Sequence, residues 1–213
     1  METWINTHIT LPVYRNESYE KENAYSHFLG FLLSLFGLVW VIDIPGANIG
    51  MVVFAISNII LYASSFLYHY LPVGTFKRMM RIMDHSSIYI LIAGSYTPIL
   101  LYVGTPLAIA FAVGMWLVTL LGIFLTIKYW GKLYVLHVAL YALMGWSILF
   151  ILPQVLSLMP PMLFKYILSG GITYTVGILF DGIKKIPHNH LIWHLFVLAG
   201  SIIFFIGYAM FLV

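Results

Sequence analysis

The pair His190 and His194 is the feature of this sequence with the clearest chemical potential. Four residues of an α-helix turn the chain through about 400°, so both imidazoles point to the same side of the last apolar segment. The rest of that segment, 191–213, is almost entirely hydrocarbon and aromatic, and polar side chains in such surroundings usually serve a function. Neutral imidazole is a common zinc ligand. The spacing therefore predicts an incomplete metal site that needs a further histidine and a carboxylate.

The composition places these residues in a membrane protein. Of the 213 residues, 62% are hydrophobic and 8% are charged, against about 25% charged residues in a soluble domain. The mean hydropathy is +0.98. The chain has no cysteine, which leaves His, Asp, Glu and water as metal ligands. The net charge of +3 comes from basic residues in short loops between apolar runs, so nucleic acid is not an expected partner.

Apolar runs of membrane-spanning length occur seven times. About 20 residues are needed to cross the hydrocarbon core as a helix, and turn or helix-breaking residues separate the runs. The predicted fold is an all-α integral membrane bundle of seven antiparallel helices in residues 22–213, preceded by a polar cytosolic tail, 1–21. The spans are predicted at about 24–42, 48–70, 86–103, 106–127, 133–151, 162–180 and 191–213.

The basic residues predict the orientation of the bundle. Nine of the ten lysines and arginines lie in the tail or in alternate loops on one side, and only Lys165 lies near the opposite side. Basic loops stay in the cytosol. The N-terminus is therefore expected inside and the C-terminus outside, in a multi-pass protein of the cell membrane. The nine are Arg15, Lys21, Lys77, Arg78, Arg81, Lys128, Lys132, Lys184 and Lys185.

This topology brings the missing metal ligands to one depth. The second predicted span ends at His69, the third begins at Asp84 and the seventh begins at His190, all on the inner side. Ser65 lies on the same helix face as His69 because four residues separate them. Three histidines with an open fourth position and a nearby carboxylate are typical of a catalytic zinc centre. Capping of the third helix by Asp84 is the alternative interpretation.

The first span carries another polar group at the same level. Glu20, Asn23, Ser26 and His27 enter the membrane from the inner side. Acidic residues and asparagine near a helix N-terminus can simply cap the backbone. A functional role and a capping or packing role therefore both stay open for this group.

The other histidines are not expected to bind the metal. His137 stands alone on an apolar face and is expected to be a hydrogen-bonded packing residue. His8 and His188 lie in polar segments and are expected to be solvated. His85 follows Asp84 directly and so lies about 100° around the helix from it, which excludes it from the ligands. Asp181 is expected to end the sixth helix.

Taken together, these motifs resemble the hemolysin III family, the bacterial branch of the progestin and adipoQ receptor proteins, from about residue 20 to the end. The resemblance implies seven helices with an inner N-terminus and a zinc ion held by His69, His190 and His194. It also implies that Asp84 interacts with the metal-bound water and that Ser65 belongs to the same polar cluster. The family is similar to alkaline ceramidases at these positions. The motifs are Glu20-x-x-Asn23-x-x-Ser26-His27, Ser65-x-x-x-His69, Asp84, Gly94-x-x-Thr97-Pro98 and His190-x-x-x-His194.

Three functional hypotheses follow for the chain, with membrane lipids as its partners and no protein partner identified. The first is a zinc-dependent hydrolase of a lipid amide or ester, acting in membrane lipid homeostasis. In it, Asp84 takes a proton from water, and either Ser65 or the metal stabilises the oxyanion. The second is a lipid or stress sensor with a structural zinc. The third is a hemolysin that permeabilises membranes. The polar residues cluster at one end of the spans, which favours a site over a channel.

Overall fold

A computed structural model describes residues 2–12 and 17–213, and the regular secondary structure of this part of the chain is entirely helical, without strands. The all-α fold predicted from hydropathy is confirmed. The helices are α1 (Glu2–His8), α2 (Glu17–Ile42), α3 (Ile49–Tyr70), α4 (Thr75–Val103), α5 (Pro106–Lys128), α6 (Tyr134–Trp146), α7 (Leu152–Leu158), α8 (Pro161–Gly182) and α9 (Asn189–Phe211), with a 3-10 turn at Ser147–Phe150 between α6 and α7.

Six of the described helices are long and apolar enough to cross a membrane: α2, α3, α4, α5, α8 and α9. The predicted fifth span, 133–151, corresponds to helix α6 and the 3-10 turn that follows it, Tyr134–Phe150. This segment is long and apolar enough to cross a membrane only together with helix α7, which it meets at a bend of 60°. The bundle has seven spans if this bent pair counts as one. Pro153 in the first turn of α7 explains the break, because proline cannot donate the hydrogen bond that would continue the preceding helix.

Helix α4 begins well before the predicted third span. It starts at Thr75 rather than near residue 86, so Asp84 lies inside the helix. The prediction that Asp84 opens this helix is wrong, and so is the capping alternative. Polar residues in the first turns of α4 are stabilised by contacts with other segments. Lys77 forms an ion pair with Glu20, and Arg78 donates a hydrogen bond to the carbonyl of Ile9.

The N-terminal segment contains a short helix rather than only a polar tail. Ile5 in α1 and Ile9 after it are buried, and α1 packs against the beginning of α4. Helix α2 begins at Glu17, so the predicted boundary between tail and membrane domain, 21–22, falls inside this helix. Arg15, which entered the orientation argument, lies outside the described residues.

The bundle brings one end of four helices together. Helices α2 and α9 begin there, and α3 and α8 end there. Two contacts show this: Glu20 of α2 lies against His69 of α3, and Asp181 of α8 lies against His190 of α9. We call this the histidine end. The helices pack closely: a Cβ on Gly94 would clash with Ser57, and one on Gly122 would clash with the ring of Tyr89. Such small residues let transmembrane helices approach one another.

Candidate metal centre

The three histidines predicted as ligands lie together at the histidine end. His69 comes from the last turn of α3, and His190 and His194 come from the first two turns of α9. One ring nitrogen from each lies within 4.8 Å of the other two. His69 and His194 are almost fully buried, with 5% and 2% of their surface exposed. The structure therefore brings together a group that could hold a metal ion.

Each of these rings is oriented by a hydrogen bond from its Nδ1 atom. His69 Nδ1 lies 3.2 Å from Glu20 Oε2, and His190 Nδ1 lies 3.0 Å from Asp181 Oδ1. His194 Nδ1 lies 3.1 Å from the backbone carbonyl oxygen of Asn23 and 3.0 Å from the hydroxyl oxygen of Ser26, whose own proton is donated to the same carbonyl. Carboxylates and carbonyls accept hydrogen bonds, so Nδ1 carries the proton and Nε2 keeps its lone pair in each ring. Metal-binding histidines are typically held in this way.

The free Nε2 atoms have a spacing that suits zinc. His190 Nε2 and His194 Nε2 are 3.2 Å apart, close to the distance of about 3.3 Å between two nitrogens on one tetrahedral zinc ion. The Nε2 atom of His69 is buried and has no hydrogen-bond partner among the described residues. A buried polar atom without a partner is unusual in a native protein. The donor atoms of these three residues therefore suit a metal ion such as zinc.

Asp84 and Ser65 lie beside this group. The Asp84 carboxylate is close enough to His69 and Ser65 to interact with both, and its oxygen Oδ2 lies 3.5 Å from Nδ1 of His85. Ser65 is completely buried, and its hydroxyl does not reach hydrogen-bond geometry with any described residue. A proton acceptor and a hydroxyl donor thus stand next to the position that a metal ion would take.

His27 also reaches the site, although it is not one of the three grouped ligands. Its ring stacks on that of His194 with the centroids 3.5 Å apart. It comes from α2, on the helix face that carries Glu20 and Asn23, at spacings of three and four residues. The first span therefore contributes directly to the histidine end, beyond any capping of its own backbone.

The remaining histidines have other contacts. Nδ1 of His137 lies 2.7 Å from the hydroxyl of Tyr89, as expected for a hydrogen-bonded packing residue. His85 bonds to a carbonyl of its own helix and stays outside the ligand group. His188 is only partly exposed, because its Nδ1 lies 2.7 Å from Glu22 Oε2. His8 is exposed, in agreement with the sequence.

A cavity of about 650 Å³ extends from the histidine end into the bundle. His27, Asp84, His190 and His194 line one part of it, and aromatic and aliphatic residues of α4, α6, α8 and α9 line the rest. The lining residues of α9 run from His190 to Tyr208, which corresponds to about 27 Å along the helix axis. The polar chemistry thus lies at one end of a long, mostly apolar chamber.

The sequence matches a known family over most of its length. The family model described as "Haemolysin-III related" matches residues 16–205. The chain belongs to the haemolysin III family. Within this family it is similar to the "Hemolysin-3 homolog" of Bacillus subtilis (strain 168), with 39% identity over 191 residues that cover 85% of this chain and 89% of the relative. It is also similar to "Hemolysin-3" of Bacillus cereus, with 34% identity over 193 residues that cover 87% and 88% of the two chains.

Membership of the haemolysin III family agrees with the helical structure. The apolar helices and these relatives identify a multi-pass membrane protein, and for bacterial members the cell membrane is the expected location. The resemblance inferred from the motifs is therefore confirmed at the level of family and fold.

Proposed function

We propose that this haemolysin III protein is a zinc-dependent membrane hydrolase that cleaves an amide or ester bond in a lipid and so acts in membrane lipid homeostasis. One observation carries the proposal: His190 and His194 of the three-histidine group, together with Asp84, line the polar end of a long, mostly apolar cavity. A purely structural metal site would have no need of such a chamber.

The cavity has the size and chemistry to hold a lipid chain. Its volume of about 650 Å³ lies in the range of about 300–1,000 Å³ that is usual for small-molecule sites. Ile167, Leu168 and Ile178 of α8 form part of its apolar wall. A hydrocarbon chain placed along this wall would bring its polar linkage to the histidine end. This geometry favours a substrate with a carbonyl group at the head of a long apolar tail.

The side chains around the site have distinct roles in the proposed hydrolysis. His69, His190 and His194 would hold a zinc ion, which would make a bound water a stronger acid and polarise a carbonyl group. Asp84 accepts the proton of the attacking water and passes it to the leaving amine or alcohol as the carbon–nitrogen or carbon–oxygen bond breaks. Ser65 donates a hydrogen bond to the oxyanion that forms at the carbonyl oxygen. Glu20, Asp181 and Asn23 keep the histidine rings in place.

The test is the substitution Asp84→Asn, which keeps the shape of the side chain but removes its ability to take a proton. Purified variant and unsubstituted protein are compared for zinc content and for hydrolysis of a mixed lipid extract, followed by mass spectrometry. We expect zinc to be retained and hydrolysis to fall by about 10²–10⁴-fold, the usual contribution of a general base. Asp43→Asn, in an exposed turn, is the matched control. Retained zinc with an unchanged rate would exclude Asp84 as the base.

A second candidate function is membrane permeabilisation, which the name of the Bacillus cereus relative favours. Purified protein in dye-loaded liposomes separates the two. A pore would release dye with unchanged lipids and without dependence on zinc, whereas a hydrolase changes the lipid composition before any leakage. A protein that binds zinc, turns over no lipid and releases no dye would instead support a sensor with a structural metal.

A further inference from the structure

His27 is a buried residue whose ring nitrogens remain without a role. Only 3% of its surface is exposed, and neither Nδ1 nor Nε2 has a hydrogen-bond partner in the described part of the chain. A neutral imidazole has one donor and one acceptor. Burying both without a partner is costly. By hydrogen-bond geometry, the described residues therefore leave both ring nitrogens of His27 without a partner.

The protein neighbours of His27 are already engaged. Its face stacks on His194, and its edge meets the ring of Tyr62 at a centroid distance of 5.0 Å. The hydroxyl of Tyr62 donates to Ser201 over 2.9 Å. The hydroxyl of Ser26, one residue before His27, donates to the carbonyl of Asn23. None of these groups turns toward the imidazole nitrogens of His27.

His27 also borders the cavity. His27 is one of the residues that line it, and its electrostatic neighbours are Asp84, His69 and His190. These are the groups that surround the position proposed for the metal ion. A molecule bound at the head of the cavity would therefore lie near both His27 and the candidate metal ligands His190 and His194.

We propose that His27 is a substrate-binding residue, whose ring nitrogen hydrogen-bonds an oxygen atom of the lipid linkage at the head of the cavity. This inference rests on the proposed function, because it assigns the bound group to a carbonyl or carboxylate next to the metal position. It differs from the role of Asp84, which exchanges a proton with water. It also differs from that of His69, His190 and His194, whose Nε2 atoms bind the metal.

The experiment measures binding at the metal site without turnover. The purified protein is loaded with cobalt(II), whose visible absorption reports the ligands around it, and titrated with acetohydroxamate, a small metal-binding oxygen anion. The variant His27→Phe keeps an aromatic ring for stacking but has no ring nitrogen, and His27→Gln keeps an N–H donor. His137→Phe is the matched control, because His137 lines the same cavity but bonds to Tyr89.

We expect cobalt to bind to all variants with the stoichiometry of the unsubstituted protein. The dissociation constant for acetohydroxamate should rise about tenfold in His27→Phe, the loss of one hydrogen bond, and change by less than about threefold in the other two variants. Equal affinity for acetohydroxamate in His27→Phe and the unsubstituted protein would overturn this inference but leave the proposed function standing. Loss of cobalt from His27→Phe would assign His27 to supporting the ligands and would also overturn it. Failure of the unsubstituted protein to bind cobalt would refute the metal site and the proposed function together.

Discussion

Glu20 is the residue whose substitution tests the metal centre most directly without touching a ligand. Its carboxylate oxygens lie 3.2 and 3.3 Å from Nδ1 of His69, and Oε2 also lies 3.7 Å from the Lys77 amine. The charged hydrogen bond fixes the His69 ring and makes its Nε2 atom a better electron-pair donor. The substitution Glu20→Gln keeps an oxygen acceptor at the same place but removes the charge.

The expected loss of zinc affinity follows from the difference between the two hydrogen bonds. A hydrogen bond to a charged group contributes about 1.5–3 kcal/mol and one between neutral groups about 0.5–1.5 kcal/mol, so Glu20→Gln should cost about 1–1.5 kcal/mol in metal binding. This corresponds to an increase of about tenfold in the dissociation constant for zinc. Glu20→Ala removes the acceptor altogether and should weaken binding by about 10–100-fold, as for other residues that orient metal ligands. The alanine variant also leaves Lys77 without this carboxylate, so the glutamine variant is the cleaner probe.

The assay is competition between the metal-free protein and a chromophoric zinc chelator of known affinity. Glu17→Gln is the matched control, because Glu17 lies in the first turn of the same helix but is exposed. The reasoning is refuted if Glu20→Gln binds zinc as tightly as the unsubstituted protein, or if Glu17→Gln weakens binding equally. Either result would mean that His69 is not held through its Nδ1 atom by this carboxylate.

Three further predictions concern the site and the topology. The double variant His190→Ala, His194→Ala should lose most of its zinc, and chelation should lower the melting temperature of the unsubstituted protein but not of this variant, because a bound ion stabilises the fold by mass action; full zinc occupancy in the variant would contradict the site. Ser65→Ala should keep zinc and lower the rate of lipid hydrolysis by about 10²-fold, as for the loss of one oxyanion donor; an unchanged rate would remove Ser65 from the mechanism. When protease is added outside intact cells, a tag at the N-terminus should be protected and a tag at the C-terminus should be cleaved. The reverse pattern would contradict the orientation predicted from the basic loops.

The grouping of the three histidines could be predicted because helix periodicity and span length determine it. The four-residue spacing places His190 and His194 on one helix face, and the lengths of the apolar runs determine which helix ends meet at one side of the membrane. His69 could be added because it ends a span on the same side. The structure groups these three residues, so the argument from helix geometry and span polarity was sufficient here.

The ends of the helices were less predictable because hydropathy indicates which residues lie in the membrane, whereas a helix can continue beyond it. Charged residues before 86 placed the start of the third span too late, whereas the helix continues through them to Thr75. The predicted fifth span ended at residue 151, whereas the structure adds helix α7 to it after a bend. Pro153 was the signal that a bend occurs there.

The partners of the histidines could not be derived from spacing alone. Asp181 was interpreted only as a residue that ends a helix, and it does lie in the last turn of α8. Its bond to His190 depends on how the loop between α8 and α9 folds back. Glu20 lies on a different helix from His69, and only the packing of α2 against α3 brings them together. Glu20 and Asp181 are both acidic residues predicted at the same depth in the membrane as the histidines. That shared depth is the signal that could have suggested both contacts.

The helices that supply these partners explain why substitution of Asp84 should affect hydrolysis but not metal binding. Each candidate ligand is held by another helix: His69 of α3 by Glu20 of α2, His190 of α9 by Asp181 of α8, and His194 of α9 by the carbonyl of Asn23 in α2. A metal ion would therefore tie α2, α3, α8 and α9 together at one end of the bundle, and its loss should loosen that end first. Helix α4 supplies Asp84 but none of these contacts. Substitution of Asp84 can then change the reaction while the four helices continue to hold the ion.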